Sequence, residues 1–131
     1  MLLDTHVLLW WHAGGELLSA RAAREIARAE KVLVSPISCW EDATLVRKRR
    51  VRLDRPVADW CAQLFREDRV ARADLDPAAA TWAGSLDETF PGDPADRLIF
   101  ATAFHSAAPL ISRDEKLRNY AKQSPGVRVI W

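Results

Sequence analysis

Short apolar runs alternate with helix-forming stretches along nearly the whole of this 131-residue chain, and that alternation restricts the fold more than any other feature. Met1-Leu2-Leu3, Lys31-Val32-Leu33-Val34, Leu110-Ile111 and Val127-Arg128-Val129-Ile130-Trp131 read as strands, the last following the turn Pro125-Gly126. Val70 to Leu75 alternates weakly and reads as a further strand, and Val51-Arg52-Leu53 as a brief extended segment. Helical stretches lie between them. The first covers Val7-Leu8-Leu9-Trp10-Trp11 and ends at Gly14-Gly15; the second runs from Arg21 to Glu30 with Ser19 as its cap. Pro36 opens a third, through about Arg47, and Pro56 and Pro77 open two more, carrying Trp60 and Trp82 respectively. The turn Pro91-Gly92-Asp93-Pro94 leads into a long apolar helix from Ala95 to Ala107, and Glu115 to Ala121 forms a short last one. Strands joined through helices pair in parallel, and a parallel sheet is covered on both faces. The expected fold is α/β, a three-layer α/β/α sandwich with a central, mainly parallel sheet, built as one domain over residues 1–131.

Composition narrows the function. Nineteen Lys+Arg against 18 Asp+Glu give a formal charge of +1, which argues against a bulk polyelectrolyte binder and leaves local patches to decide. Cys39 and Cys61 have neither CxxC nor Cys/His ligand spacing, so neither a disulfide scaffold nor a zinc site is expected, and a reducing cytoplasm is the default. The first apolar stretch carries Asp4 and soon meets His12 and Gly14, so neither a membrane span nor an export signal is expected.

Four carboxylates, Asp4, Glu41, Asp96 and Asp114, sit where an apolar run breaks or just inside the element that follows. In a parallel α/β sheet the carboxyl ends of neighbouring strands open onto one crevice, where such scattered acids can meet. Taken singly, each has a structural reading. Asp93 before Pro94 is an N-cap with Asp96 in the first turn, Ser112 and Glu115 have capping-box spacing that puts Asp114 in a first turn, and Asp4 can end a strand. Taken together they need a counter-charge. Two unit charges about 4 Å apart repel by about 4 kcal/mol at an effective dielectric near 20. Oxygen-only donors suit hard ions such as Mg2+ or Mn2+, and such sites suit phosphoryl chemistry.

The ordered segments Leu2-Leu3-Asp4-Thr5-His6-Val7-Leu8-Leu9-Trp10, Ser38-Cys39-Trp40-Glu41, Asp93-Pro94-Ala95-Asp96-Arg97-Leu98-Ile99, Ala101-Thr102-Ala103 and Leu110-Ile111-Ser112-Arg113-Asp114 resemble the PIN-domain ribonucleases, in particular VapC-type toxins. The resemblance extends to the terminal Val127–Trp131 and implies a PIN-like sandwich with a Mg2+- or Mn2+-dependent endoribonuclease site. It implies that Asp4, Glu41, Asp96 and Asp114 hold one or two ions that activate water against an RNA phosphodiester, with Asp93, Thr5 and Ser112 in support. It also implies a homodimer, neutralised by a VapB-type antitoxin that carries the DNA-binding function. Two positions depart from the pattern. Asp42 stands where similar toxins place an apolar residue, and Lys48-Arg49 replaces a Lys-Gly turn. Adjacent helix residues project about 100 degrees apart, so Asp42 is expected to face solvent or a partner's basic side chain rather than Glu41's ion.

Arg47, Lys48, Arg49, Arg50 and Arg52 form the densest basic run, which can follow an RNA backbone or simply end a helix. Arg97 and Arg113 neighbour site acids and can hold an acid or a substrate phosphate, or, for Arg97, serve structure alone. His6 can approach the site, while His12 and His105 lack a partner at a revealing spacing, so catalysis by histidine is not expected. The six tryptophans are expected mostly in the core, except that Trp10 and Trp11 cannot both point inward and one suits an interface. Two other classes fit the same residues: a catalytically silent binding module with this fold, and a different metal-dependent phosphotransfer enzyme. The second is weakened because His6 stands where its usual second acid would be.

Overall fold

The strands are short because each needs only to cross the core. In the computed structural model, which describes residues 1–124 and 126–131, β1 is Leu2–Leu3, β2 Val32–Val34, β3 Val70–Arg72, β4 Leu110–Ile111 and β5 Val129–Ile130. All pair in parallel in the order β3-β2-β1-β4-β5, with Leu2 opposite Leu33 and Leu110, and Leu3 opposite Ile111. The helices are α1 Thr5–His12, α2 Ala20–Arg28, α3 Pro36–Arg47, α4 Val57–Leu64, α5 Pro77–Ser85, α6 Pro94–His105 and α7 Glu115–Gln123. Of the turn Pro125-Gly126, Pro125 lies outside the described residues.

Strand period two sorts the core into two layers. Leu3, Val32, Val34, Ile111 and Ile130 face Val7 and Leu8 of α1, Ile26 of α2 and Trp60 and Leu64 of α4. Leu2 and Leu110 face the other way, onto Ile99 and Phe100 of α6 and Leu117 of α7. Ala79 and Ala83 of α5 close against Ala101 of α6, where small side chains let the helices approach. Each fully buried Leu or Ile contributes about 1.5–3 kcal/mol, so two- and three-residue strands suffice.

Several expectations change at element ends. The first helix begins at Thr5, two residues before Val7, because Asp4 caps it: its side chain accepts from Thr5 N. Val51–Leu53 joins no strand among the described residues; Val51 and Leu53 are half-buried in the loop after α3. That loop leaves through Arg49, which takes a left-handed φ of 57°, while Arg49 N donates to Val46 O and Arg50 N to Leu45 O. This is a Schellman turn, built on an arginine where glycine would be unstrained. Trp40 is 62% exposed rather than in the core, whereas Trp60 is buried and Trp10, Trp11, Trp82 and Trp131 are half-buried. Trp10 and Trp11 both pack on the Leu3 layer.

Asp42 requires the largest correction. It does not face solvent: its exposure is 0%, and neither carboxylate oxygen has a hydrogen-bond partner among the described residues. Helix α3 packs against α1, α4 and α6, so the face that Asp42 shares with buried Ser38, four residues earlier, is covered. The thiols of Cys39 and of Cys61 in α4 are close enough to feel its charge. Burial first, and the neighbouring Glu41 charge second, push its pKa up to about 7. Unfolded, it releases its proton near pH 4, so folding binds a proton between about pH 4 and pH 7, and stability falls as pH rises through that window. Asp42→Asn is expected to flatten that fall and to stabilise the protein at about pH 8 by on the order of 2 kcal/mol. Urea unfolding of both proteins at about pH 5 and pH 8 measures it; an unchanged pH slope would exclude Asp42 as the group responsible.

Candidate functional site

The sheet order reverses between β1 and β4, so the two loops leaving their carboxyl ends diverge and open a crevice. Asp4 follows β1 and Ser112 follows β4, and the Leu3–Ile111 register sets them side by side. The Ser112 hydroxyl donates to Asp4 Oδ2 at 2.6 Å, and Asp4 Oδ1 accepts from Thr5 N at 2.7 Å. Ser112 Oγ also accepts from Asp114 N at 3.1 Å, and Asp114 Oδ1 accepts from Leu117 N at 3.1 Å. Asp114 is therefore itself the cap of α7, and the Ser112–Glu115 capping box does not form. Ser112 turns toward Asp4 instead.

Glu41 reaches this crevice from within α3, which packs on α1. Its Oε2 accepts a short hydrogen bond from the buried Thr5 hydroxyl, whose oxygen also lies 3.1 Å from Ser38 Oγ. Thr5 has one proton to give, so with Glu41 ionised it goes to the carboxylate and Ser38 donates to Thr5. Asp93 and Asp96 form a reciprocal capping box on α6, each accepting from the other's backbone N at 2.9 Å. Gly92 makes this possible. A Cβ there would lie 2.4 Å from Asp96 Cβ and 2.8 Å from the Phe90 ring, so any side chain would displace Asp96.

These acids line a cleft of about 370 Å³ with His6, Trp10 and Arg113. Burial raises the pKa of Asp4, against the lowering effect of its Ser112 and Thr5 hydrogen bonds and the His6 charge. Burial likewise raises Glu41, with the Asp4 and Asp93 charges adding to it. Asp96 is pushed up to about 7 by burial and by the charges of Asp93, Asp4 and Glu41. Among the described residues none of these acids forms an ion pair. Nor do three His, Cys, Asp or Glu side chains stand ready as a ligand set; each carboxylate is turned to its own hydrogen bond. Glu41, Asp96 and Asp114 nevertheless each keep one oxygen uncommitted among the described residues. An oxygen-only donor set with unbalanced charge is the chemistry that a hard divalent ion fits, and it fits zinc or copper poorly.

Other sequence candidates divide. Arg113 lines the cleft, its guanidinium 5.6 Å from the Trp10 ring centroid. Arg97 does not line it: it donates to the carbonyls of Leu86 and Asp87 and sits over Phe90, 5.3 Å from its centroid. Lys48, Arg50 and Arg52 line an adjoining groove, whereas Arg47 and Arg49 are exposed but line neither depression. Gly92 and Trp10 join the site unannounced. The Pro91-Gly92-Asp93 turn signal pointed to the first, and the second is signalled by its helical spacing of four from His6.

Residues 1–123 match the PIN domain family. Over 125 residues, 95% of each chain, this protein is 39% identical to Ribonuclease VapC22 of Mycobacterium tuberculosis. Among solved structures it is similar to VapBC2 from Rickettsia felis bound to a DNA fragment from its promoter, with a TM-score of 0.69 at 15% identity, covering 99% of this chain and 97% of that one. It is also similar to Mycobacterium tuberculosis VapC20, a sarcin-ricin loop cleaving toxin, with a TM-score of 0.69 at 16% identity over 92% and 94% of the two chains. At such identities the structural likeness concerns the fold alone.

The charge crowding has a thermodynamic consequence. Folded Asp96 holds its proton to about pH 7 and unfolded Asp96 to about pH 4, so its ionisation destabilises the fold progressively between those values and fully above them. Asp96→Asn keeps an oxygen for Asp93 N and removes the charge. In EDTA at about pH 8 it is expected to be more stable than wild type by on the order of 1 kcal/mol, with most of the gain gone at about pH 5. Thermal unfolding at the two pH values checks this, and a variant that melts below wild type at pH 8 would contradict it.

Proposed function

The chain belongs to the PIN-domain family, in its VapC-type branch, and on that footing we propose that it is a metal-dependent endoribonuclease hydrolysing RNA phosphodiester bonds. The observation that supports this most is the meeting of Asp4, Glu41, Asp93, Asp96 and Asp114 around one cleft, drawn from four separate places in the sequence and without an ion-pair partner among the described residues. Asp4, Glu41, Asp96 and Asp114 are the residues that would hold Mg2+ or Mn2+, with Asp93 assisting. Such an ion, when bound, supplies Lewis acidity toward a phosphoryl oxygen and acidifies a water.

The rest of the work falls to the chain. Ser112 and Thr5 N fix both oxygens of Asp4, and the Thr5 hydroxyl fixes Glu41, so two acids from different elements share one frame. Thr5 and Ser112 are buried and already donate to carboxylates, which makes them positioning residues rather than nucleophiles. Water is then the attacking group. Arg113 is exposed at the cleft rim, where its guanidinium can engage a non-bridging phosphate oxygen. Arg97 anchors the loop before α6 through two carbonyls and so supports Asp93 and Asp96 indirectly.

The reading includes a VapB-type antitoxin that places a basic side chain among these acids, a homodimer, and DNA contact through the antitoxin only. Residues 1–131 act in it as one PIN-like nuclease domain working in the cytoplasm. No helix among the described residues is long and apolar enough to cross a membrane.

An RNA cleavage assay on purified, antitoxin-free protein tests it. Cleavage is expected with Mg2+ and to stop with EDTA. Ser112→Ala is expected to lower the rate about 10- to 100-fold, as loss of a group that orients a ligand does, and Asp96→Asn to lower it further. Wild-type activity in Asp96→Asn, with the fold verified by circular dichroism, would overturn the mechanism.

A further inference from the structure

A groove of about 940 Å³ adjoins the acidic cleft and shares His6, Trp10, Glu41 and Asp93 with it, so the two form one continuous depression. Its other walls come from α1, from α3, from the segment after α3 and from Trp60 of α4. Its chemistry differs from that of the cleft. Lys48, Arg50 and Arg52 line it, all exposed and none in an ion pair among the described residues. Its acids are Glu41 and Asp93, at the junction with the cleft, and Asp54, which is paired with Arg55 at 2.8 Å. Away from the junction the groove is therefore cationic, and its apolar lining includes Trp40, 62% exposed.

An indole held in water on a regular helix, beside three unpaired cations, suits a ligand that is flat and apolar on one side and anionic on the other. We propose that this groove binds the unpaired RNA strand next to the scissile phosphate, with a base stacked on Trp40 and phosphates on Lys48, Arg50 and Arg52. The proposal rests on the ribonuclease reading above. Continuity carries it: a strand with one phosphate among the acids that leaves past Trp10 and His6 meets the groove there. Stacking on Trp40 requires a base outside a duplex, so the site selects loops or single strands over paired RNA. The Schellman turn at Arg49 contributes by ending α3 between Lys48 and Arg50, which lets both line the groove.

Fluorescence anisotropy with a short fluorescein-labelled oligouridylate, on the full chain in EDTA, tests the proposal. Trp40→Ala is expected to weaken binding roughly 10- to 100-fold, and Trp40→Phe to recover most of it. Arg50→Ala combined with Arg52→Ala is expected to reduce the slope of log affinity against log salt by about 1.4, the value for two phosphate contacts on a single strand. A fully paired RNA should compete poorly. Wild-type affinity in Trp40→Ala, or equal competition by duplex, would overturn the proposal, as would loss of dimer or of acidic-peptide binding in these variants with RNA binding intact. Hydrolysis of bis(p-nitrophenyl) phosphate by the wild type with Mn2+ reports on the cleft alone. If it persists while the groove variants bind RNA normally, the groove assignment fails and the nuclease reading stands; if the wild type cleaves neither that ester nor RNA, the nuclease reading fails and takes the groove with it.

Discussion

The hydrogen bond from Ser112 to Asp4 Oδ2, 2.6 Å long, fastens the end of β4 to the end of β1 at the point where the sheet changes direction. Much of the site's geometry follows from it. Asp4 is at once the first residue past β1 and the cap of α1, so fixing its carboxylate fixes the angle at which α1 leaves the sheet. Thr5, the next residue, carries the constraint through its hydroxyl to Glu41 and Ser38 on α3. Residues separated by 108 positions at one end and 36 at the other are thereby held in one polar frame. Strands of two or three residues would not impose such order by ladder bonds alone; the frame and the two apolar layers do it together.

That frame works against its own electrostatics. Hydrogen bonds from Ser112 and Thr5 favour the ionised form of Asp4, but burial disfavours it more, and the same burial raises Glu41 and Asp96. A site arranged only for stability would neutralise these groups with basic side chains. Arg97, the basic residue next to Asp96 in sequence, is spent on loop carbonyls instead, and Arg113 lies over Trp10. Crowded acids that are oriented but, among the described residues, left without ion pairs are what a binding or catalytic site looks like when it costs the fold free energy. Asp42 adds a second burden of the same kind one residue from Glu41, with no hydrogen bond among the described residues to offset it.

How much of this was legible in the sequence depended on how local each determinant was. The Asp93 cap with Asp96 in its first turn, the Pro36 start of α3 and the Ser19 cap of α2 are encoded within a few residues and appear as read, the reciprocal bond from Asp93 N to Asp96 being what the structure adds. The strand–helix alternation gave the parallel, doubly covered sheet because the connection between two parallel strands must cross over, a constraint of topology rather than of propensity. What failed was three-dimensional. The projection of Asp42 away from Glu41 follows from helix geometry, but whether that direction meets water depends on α1, α4 and α6 together, which no periodicity in α3 reports. Ser112 could cap a helix by spacing, yet its hydroxyl turns to Asp4 at the end of the neighbouring strand, and Asp114 is the cap. Trp40 looked like core because it shares a helix with apolar residues, although it is left 62% exposed on its side of α3.

The formal charge of +1 concealed the most functional property of the surface, which is segregation. Five acids gather at the carboxyl ends of β1 and β4 and on the α3 and α6 residues beside them, while Lys48, Arg50 and Arg52 gather on the adjoining groove. A Debye length of about 8 Å at physiological ionic strength is short compared with a strand of several nucleotides, so on the proposed reading the two regions would act on different phosphates of one chain. The acids repel the phosphate nearest them, and the cations attract its neighbours. On the proposed reading a polyanion is therefore held from one side and admitted to the cleft only when the acids are balanced. The same two patches, spread evenly over the surface, would give the same net charge and no such polarity, so here the arrangement of charge, and not its sum, determines what the depression can bind.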